Sequence, residues 1–231
     1  MKHTRNIAIV VAAGKGDRFG GELPKQFQPL GGKPMVVHSL QIFDKSELID
    51  EIVLVVCEEY LAYASQIVVD DWGIRKIRKI TAGGETRQES VLAGLSACPN
   101  GIELVAVHDG ARPFVAEDLF RQVMAKALET GAAILAVPAK ESVKLAENGI
   151  ITKTLRREIV WVAQTPQVFR FEPILSAHRR AEGARYEATD DAELFEQYCG
   201  KVAIVHGSYN NIKITTKNDF IVAQEILKSN P

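Results

Sequence analysis

Of 231 residues, 46% are hydrophobic, 25% charged and 7% aromatic, close to an average globular domain and far from disordered or collagen-like composition. Twenty-eight Lys and Arg oppose 29 Asp and Glu, so the net charge of -1 leaves no global basic excess for holding nucleic acid, and any affinity for phosphate must be local. Cys57, Cys98 and Cys199 stand too far apart to form a CxxC metal or redox pair and are expected to be reduced thiols of a cytoplasmic protein. The first apolar run, 7–13, is too short for a membrane span and lacks a signal-peptide cleavage pattern.

Short β-branched runs at 7–11, 52–57, 77–81, 104–108 and 133–137 predict strands. Apolarity on successive residues of so short a run indicates cover on both faces, as in parallel sheets. Between the runs, 35–43, 60–72, 91–97 and 119–128 repeat apolar residues at i, i+3 and i+4, the pattern of crossover helices. Thr86 to Glu89 and Asp190 to Glu193 each set a short acceptor three residues before a Glu, and Thr216 to Asp219 opens the last helix in a similar way. This βαβα series predicts one α/β domain over 1–231 with a doubly wound, mostly parallel, Rossmann-like sheet, whose ligands bind outside the carboxyl ends of the strands.

One segment breaks the rhythm. Stretches 142–147 and 150–155 flank Asn148-Gly149, a pair that tolerates positive φ at both positions and therefore predicts a hairpin. Sequence alone leaves two arrangements open, a hairpin folded back on its own sheet and a projecting arm, at about 139–159, that buries its apolar edge against a second subunit. The arm is the expectation taken forward, because an isolated hairpin is marginal in water.

The loop after the first strand, Ala12 to Gln26, packs four glycines with Lys15, Arg18 and Lys25. Glycines let backbone N–H groups approach an anion and the cations add charge-assisted contacts, which together suit a phosphate. No Gly-Lys-Ser/Thr closes the loop as in a Walker A motif, and Phe19 replaces the third glycine of a dinucleotide fingerprint, which disfavours a nicotinamide oxidoreductase. Four further loops converge on the same face. In Ala82 to Ser90, glycines allow a flat base to pack on the backbone and Ser90 offers a hydroxyl. In His108 to Pro113, Asp109 suits a hard divalent cation and Arg112 a phosphate; an intramolecular Asp109–Arg112 pair is the competing reading, set lower because both follow a strand end. Segments 163–167 and 188–191 carry small polar groups that suit hydroxyls, or merely turns and caps. Segment 210–215 sets Lys213 in an otherwise apolar expected strand, where it either snorkels or reaches an anion, and taken alone snorkelling is the better reading.

Taken together, Ala-Ala-Gly-x-Gly-x-Arg, Leu-Pro-Lys-Gln, Gly-Gly-x-x-Arg-Gln-x-Ser-Val, Val-His-Asp-Gly-Ala-Arg-Pro, Gln-Thr-Pro-Gln and Asn-Ile-Lys-Ile-Thr resemble the motifs of the 2-C-methyl-D-erythritol 4-phosphate cytidylyltransferase family, over about 7 to 227. The resemblance implies formation of 4-diphosphocytidyl-2-C-methyl-D-erythritol and pyrophosphate from CTP and the polyol phosphate, in non-mevalonate isoprenoid synthesis. It also implies that Arg18 and Lys25 stabilise the transition state, with Lys15 an additional triphosphate contact. Ala13, Gly14, Gly16, Gly84, Glu85 and Ser90 would surround the nucleotide. Asp109 would hold Mg²⁺, Arg112 and Lys213 the reacting phosphates, and Thr165 and Thr189 the acceptor. Ser142 and Arg157 match arm positions that reach the acceptor across a homodimer. Glu85 and Ser142 depart from the Asp and Thr frequent at these places, and both keep the polar function.

The implied reaction brings two anions together, and like charges about 4 Å apart repel by roughly 4 kcal/mol per pair at an effective dielectric of 20. Fixed cations and a divalent ion offset that, and an ionised attacking phosphate needs no general base. Ribitol 5-phosphate cytidylyltransferase is the nearest rival, disfavoured by Ala111. Sugar-1-phosphate uridylyltransferases are disfavoured by the Asp109 and Lys213 motifs. A non-catalytic nucleotide-binding protein would keep the glycines and lose cations or the acid, whereas Arg18, Lys25, Asp109 and Lys213 are all present.

Overall fold

The computed structural model describes residues 5–14 and 23–229. In chain order these form β1 (Arg5–Ala12), a short ribbon of β2 (Pro29–Leu30) and β3 (Lys33–Pro34), α1 (Met35–Lys45), β4 (Glu51–Val56), α2 (Leu61–Ser65), β5 (Ile77–Ala82), α3 (Arg87–Ser96), β6 (Ile102–Asp109), α4 (Glu117–Thr130) and β7 (Ala132–Pro138). The hairpin β8 (Lys144–Glu147) and β9 (Ile150–Thr154) follows, then β10 (Trp161–Arg170), α5 (Phe171–Ala184), α6 (Asp191–Tyr198), β11 (Ala203–His206) and α7 (Lys217–Ser229).

Seven strands make one sheet in the order β11-β7-β10-β6-β1-β4-β5, parallel throughout except for β10, which runs against both neighbours. Period-2 alternation splits β1 between two layers. Ala8, Val10 and Ala12 face Val36, Leu40 and Phe43 of α1 and Phe120 and Val123 of α4. Ile7 and Ile9 face Val91 and Leu95 of α3, Ile174 of α5 and Phe195 of α6. Burying each large side chain contributes on the order of 1.5–3 kcal/mol, so a sheet covered on both faces supplies the stability that a reversed central strand does not disturb. A third, smaller cluster of Leu30, Met35, Ala111, Ile214 and Ala223 seats α7 beside the β2–β3 ribbon.

All five expected strands are present, and four segments depart from expectation. The 60–72 helix is broken into α2 and a π-helical turn over Gln66–Asp71. Strand β5, at the free sheet edge, is only partly covered and carries exposed Arg78 and Lys79, charges that discourage edge pairing. Segment 210–215 is not a strand: Ile214 N–H donates to the Ala111 carbonyl, and its neighbours bond side chains instead, with the Asn211 carbonyl accepting from Arg112 Nη1 at 2.7 Å. Segment 163–167 lies inside β10 and not in a turn. Opposite β7, Ala163 faces Ala136 and Gln167 faces Ile134, so 164–166 bulge against the single Leu135.

The hairpin forms as expected, with Asn148 and Gly149 at φ 50° and 79°. Its two strands pair only with each other in the sheets, and every residue in them is exposed, including Leu145, Ile150 and Ile151. The folded-back arrangement is thereby excluded, and the hairpin projects.

Candidate active site

The carboxyl ends of β1, β5 and β6 open onto one cleft, lined among others by Ala13, Gly14, Lys25, Gly84, Glu85, Arg87, Ser90, Asp109 and Lys213. Each wall is held by a local device. Gln26, almost wholly buried, donates through Nε2 to the Ala12 carbonyl at 2.7 Å and to Gly14 at 3.3 Å, which ties the chain beyond the phosphate loop back onto the end of β1. On the opposite wall Thr86 caps α3 in a reciprocal box with Glu89. Ser90 Oγ donates to the Thr86 carbonyl at 2.9 Å and accepts from Gly84 N–H at 3.2 Å. Gly83 permits this fit: a Cβ there would meet Ala13 Cβ at 2.5 Å and Ser90 Oγ at 2.6 Å.

Asp109 ends β6 at the floor, its amide donating to Thr165 Oγ1 at 3.0 Å. His108 sits behind it. A carbonyl only accepts, so the 3.0 Å contact of Nε2 with the Arg112 carbonyl places the ring hydrogen there, and Nδ1 accepts from the Thr165 hydroxyl at 3.1 Å. Burial pushes this imidazole down to about 4, and the Arg112 carbonyl and the Asp109 charge oppose it only in part. His108 is therefore neutral at physiological pH, a strut for the β6–β10 edge.

Three cations surround the Asp109 carboxylate: Lys213 Nζ at 2.8 Å and Arg112 Nε at 3.6 Å from Oδ2, and Arg87 Nε at 3.0 Å from Oδ1. Burial alone would raise this carboxyl, but Arg87, then Lys213 and Arg112, outweigh it and hold the group well below the usual carboxylate range. The Asp109–Arg112 pair set lower on sequence grounds thus exists, as one contact among several. Lys213 is anchored on the acid and does not merely snorkel. The surplus of positive charge around one carboxylate is what an incoming polyanion requires. Burial lowers Arg112 from its ordinary value, although the guanidinium stays charged. On the far side, Lys25 Nζ donates to the Ile214 carbonyl at 3.0 Å, which ties it to the strip carrying Lys213.

A second hollow adjoins the first across Arg87, Asp109 and Lys213 and is completed by Arg112, Gln164, Thr165, Gln167 and Thr189. Thr189 donates its hydroxyl to Glu193 Oε2 at 2.8 Å, and Thr165 is buried in the His108 network. Ser142 and Arg157 are not brought to either hollow by their own chain; they share a separate depression on the arm with Leu155, Arg156 and Glu158. Lys15, Gly16 and Arg18 lie outside the described residues.

Sequence reasoning assigned no task to Arg87, Gln26 or Asn211. The signal for Arg87 was available: the capping box accounts for Thr86 and Glu89 and leaves an arginine between them with no local partner. Asn211, fully buried, donates to the Thr165 carbonyl at 2.9 Å and locks the Lys213 strip to the β10 bulge.

Known proteins resemble the chain over nearly its whole length. The family model described as 2-C-methyl-D-erythritol 4-phosphate cytidylyltransferase matches residues 6–229. Proteins of that name from Geobacter metallireducens and Pelotomaculum thermopropionicum are 43% and 45% identical to the chain, over 96% of it in both cases and 97% and 94% of their own lengths. The crystal structure of 4-diphosphocytidyl-2C-methyl-D-erythritol synthase from Anaerococcus prevotii superposes with a TM-score of 0.87 at 33% identity, covering 97% of this chain and 96% of that one.

Proposed function

The chain belongs to the 2-C-methyl-D-erythritol 4-phosphate cytidylyltransferase family, and from that membership we propose how its residues divide the work. The enzyme transfers the cytidylyl group of CTP to 2-C-methyl-D-erythritol 4-phosphate, giving 4-diphosphocytidyl-2-C-methyl-D-erythritol and pyrophosphate, a step of non-mevalonate isoprenoid biosynthesis. A phosphate oxygen of the acceptor attacks the α-phosphorus of CTP, and the bond to the bridging oxygen of the β-phosphate breaks with its electron pair leaving on pyrophosphate. Ala13, Gly14, Gly84, Glu85 and Ser90 hold cytidine between the two walls, with Lys15 and Gly16 extending the cradle. Lys25 and Arg18 neutralise the triphosphate as charge moves onto the leaving group. Arg112 and Lys213 hold the acceptor phosphate in line, with Thr165 and Thr189 lining its hollow.

The observation that carries this reading is the shared border of the two hollows, where Asp109, Arg87 and Lys213 belong to both. That border is where attacking oxygen and α-phosphorus must meet.

Asp109, an ionised carboxylate beside the nucleotide cleft, would hold Mg²⁺ together with substrate phosphates, which would draw Lys213 and Arg112 off its Oδ2. Mg²⁺ is commonly bound through one or two carboxylates plus substrate phosphates, and it would neutralise phosphate charge. The whole chain acts as one domain whose arm, over about 139–159, docks on a second copy and delivers Ser142 and Arg157 to the partner's acceptor hollow. No helix among the described residues is long and apolar enough to cross a membrane, and the reduced thiols suit a cytoplasmic enzyme. Pyrophosphate release measured in parallel with the methylerythritol phosphate and ribitol 5-phosphate tests the assignment. Turnover with the first at least 100-fold above the second is expected, and the reverse order overturns it.

A further inference from the structure

Behind the floor of the cleft runs a chain of polar and charged side chains drawn from four separate elements. Arg87, the first residue of α3, donates from Nε to Asp109 Oδ1 at 3.0 Å and from Nη1 to Asp191 Oδ2 at 2.8 Å. Asp191, the first residue of α6, accepts on its other oxygen from His178 Nε2 of α5 at 3.1 Å. A carboxylate only accepts, so His178 carries its hydrogen on Nε2. The side chains of Asp191 and His178 are 1% and 0% exposed, and neither lines the nucleotide cleft or the acceptor hollow. Burying a carboxylate and an imidazole this deeply is costly, and apolar side chains of similar volume would pack as well. The Asp190 side chain already caps α6 through Glu193 N–H at 2.9 Å, so Asp191 has no capping duty to explain it.

What the chain fixes is the orientation of Asp109. A free carboxylate turns about its Cβ–Cγ bond and exchanges its oxygens. Arg87 holds Oδ1, and its planar fork is itself held by Asp191, so Oδ2 remains the oxygen turned toward Lys213 and Arg112. We propose that Arg87 and Asp191, with His178 behind them, are positioning residues that aim the Asp109 carboxylate at the meeting point of the two substrates. The proposal rests on Asp109 serving the reaction as assigned above. Supporting partners of this kind, one step removed from the acting ligand, alter activity by about 10- to 100-fold when removed.

The test uses the full-length enzyme carrying Asp191→Asn, Arg87→Lys, the double variant and Asp109→Asn. Steady-state pyrophosphate release gives kcat and KM, calorimetry gives CTP affinity, and thermal unfolding reports integrity. Asp191→Asn and Arg87→Lys each lower kcat about 10- to 100-fold with KM for CTP and CTP affinity within about threefold of wild type. The double variant is no slower than the worse single variant, because the residues act through one another. Should Asp191→Asn fail to fold, His178→Leu substitutes for it: kcat falls about tenfold and returns with His178→Gln, which restores a donor toward Asp191.

Three results overturn the inference. In the first, Asp191→Asn or His178→Leu keeps wild-type kcat while only the melting temperature falls. In the second, Arg87→Lys weakens CTP binding more than tenfold while Asp191→Asn is silent, which makes Arg87 a direct nucleotide contact. In the third, Asp109→Asn retains wild-type kcat, and the assigned role of Asp109 falls together with the inference. An inactive Asp109→Asn beside a fully active Asp191→Asn removes this inference alone.

Discussion

The Lys25 ammonium donates to the carbonyl of Ile214, one residue beyond Lys213, at 3.0 Å. A lysine near the start of the chain is thereby fixed against a strip near its end, and the two cations approach a bound polyanion as a preset pair. Lys25→Ala should lower kcat by at least about 100-fold, the scale of removing one preorganised donor to developing charge. Steady-state pyrophosphate release by a variant with an unchanged circular dichroism spectrum checks this, and an unaltered kcat removes Lys25 from the reaction.

Gly83→Ala inserts a methyl group where Ala13 Cβ and Ser90 Oγ already stand within 2.5 and 2.6 Å. The Ala13 methyl cannot swing aside, so the two walls of the nucleotide cleft must part. We expect a stability loss of about 1–3 kcal/mol in urea titration and CTP binding at least tenfold weaker by calorimetry. Binding at wild-type strength would place cytidine elsewhere.

The buried His108 has a definite acid signature. Its imidazole is pushed down to about 4 in the folded protein against 6.5 in the unfolded chain. Below 6.5 the unfolded state binds a proton that the native state refuses, so stability falls as pH drops from 6.5 toward 4. By linkage the loss amounts to about 2 kcal/mol at pH 5. His108→Gln should flatten this part of the profile, measured as the difference in unfolding free energy between pH 7 and pH 5. Asp109 acts in the same direction over a lower pH range: its depressed carboxyl adds stability above the unfolded value near 4, and that contribution is lost as pH falls below it.

Ile150 and Ile151 are 71% and 60% exposed on the hairpin, and polar replacements there remove nothing from the core. The double variant Ile150→Asp/Ile151→Asp should unfold at the wild-type temperature, within about 0.5 kcal/mol, when studied at concentrations where the protein is monomeric. Sedimentation velocity at higher concentration should show wild type associating and the variant not. Equal association of both excludes the hairpin from the interface.

The layout of the fold was readable because its parallel strands are short, apolar and regularly spaced. Strand β10 was not, because its middle reads Gln164-Thr165-Pro166-Gln167, polar and turn-like. Those side chains are satisfied by partners remote in sequence: Gln164 donates to the Ser208 carbonyl, and Gln167 to Asp190 Oδ2. Helix α5, with Pro173 at its third position, likewise announced itself weakly. In the cleft, motif spacing identified Lys25, Asp109 and Lys213 because each follows a strand or sits in an unusual loop. Arg87 and Asp191 stayed hidden inside capping signatures that had explained their neighbours. Their pairing joins residues 104 positions apart, a distance over which no local pattern carries information.

The reversal of β10 decides more than the polarity of one strand. Because β7 runs with the parallel set and β10 against it, the first finishes and the second begins at the same rim, and the hairpin between them is rooted there at both ends. A protein docked on the hairpin would therefore stand at the doorway through which substrates enter, whereas the opposite rim stays remote from that traffic.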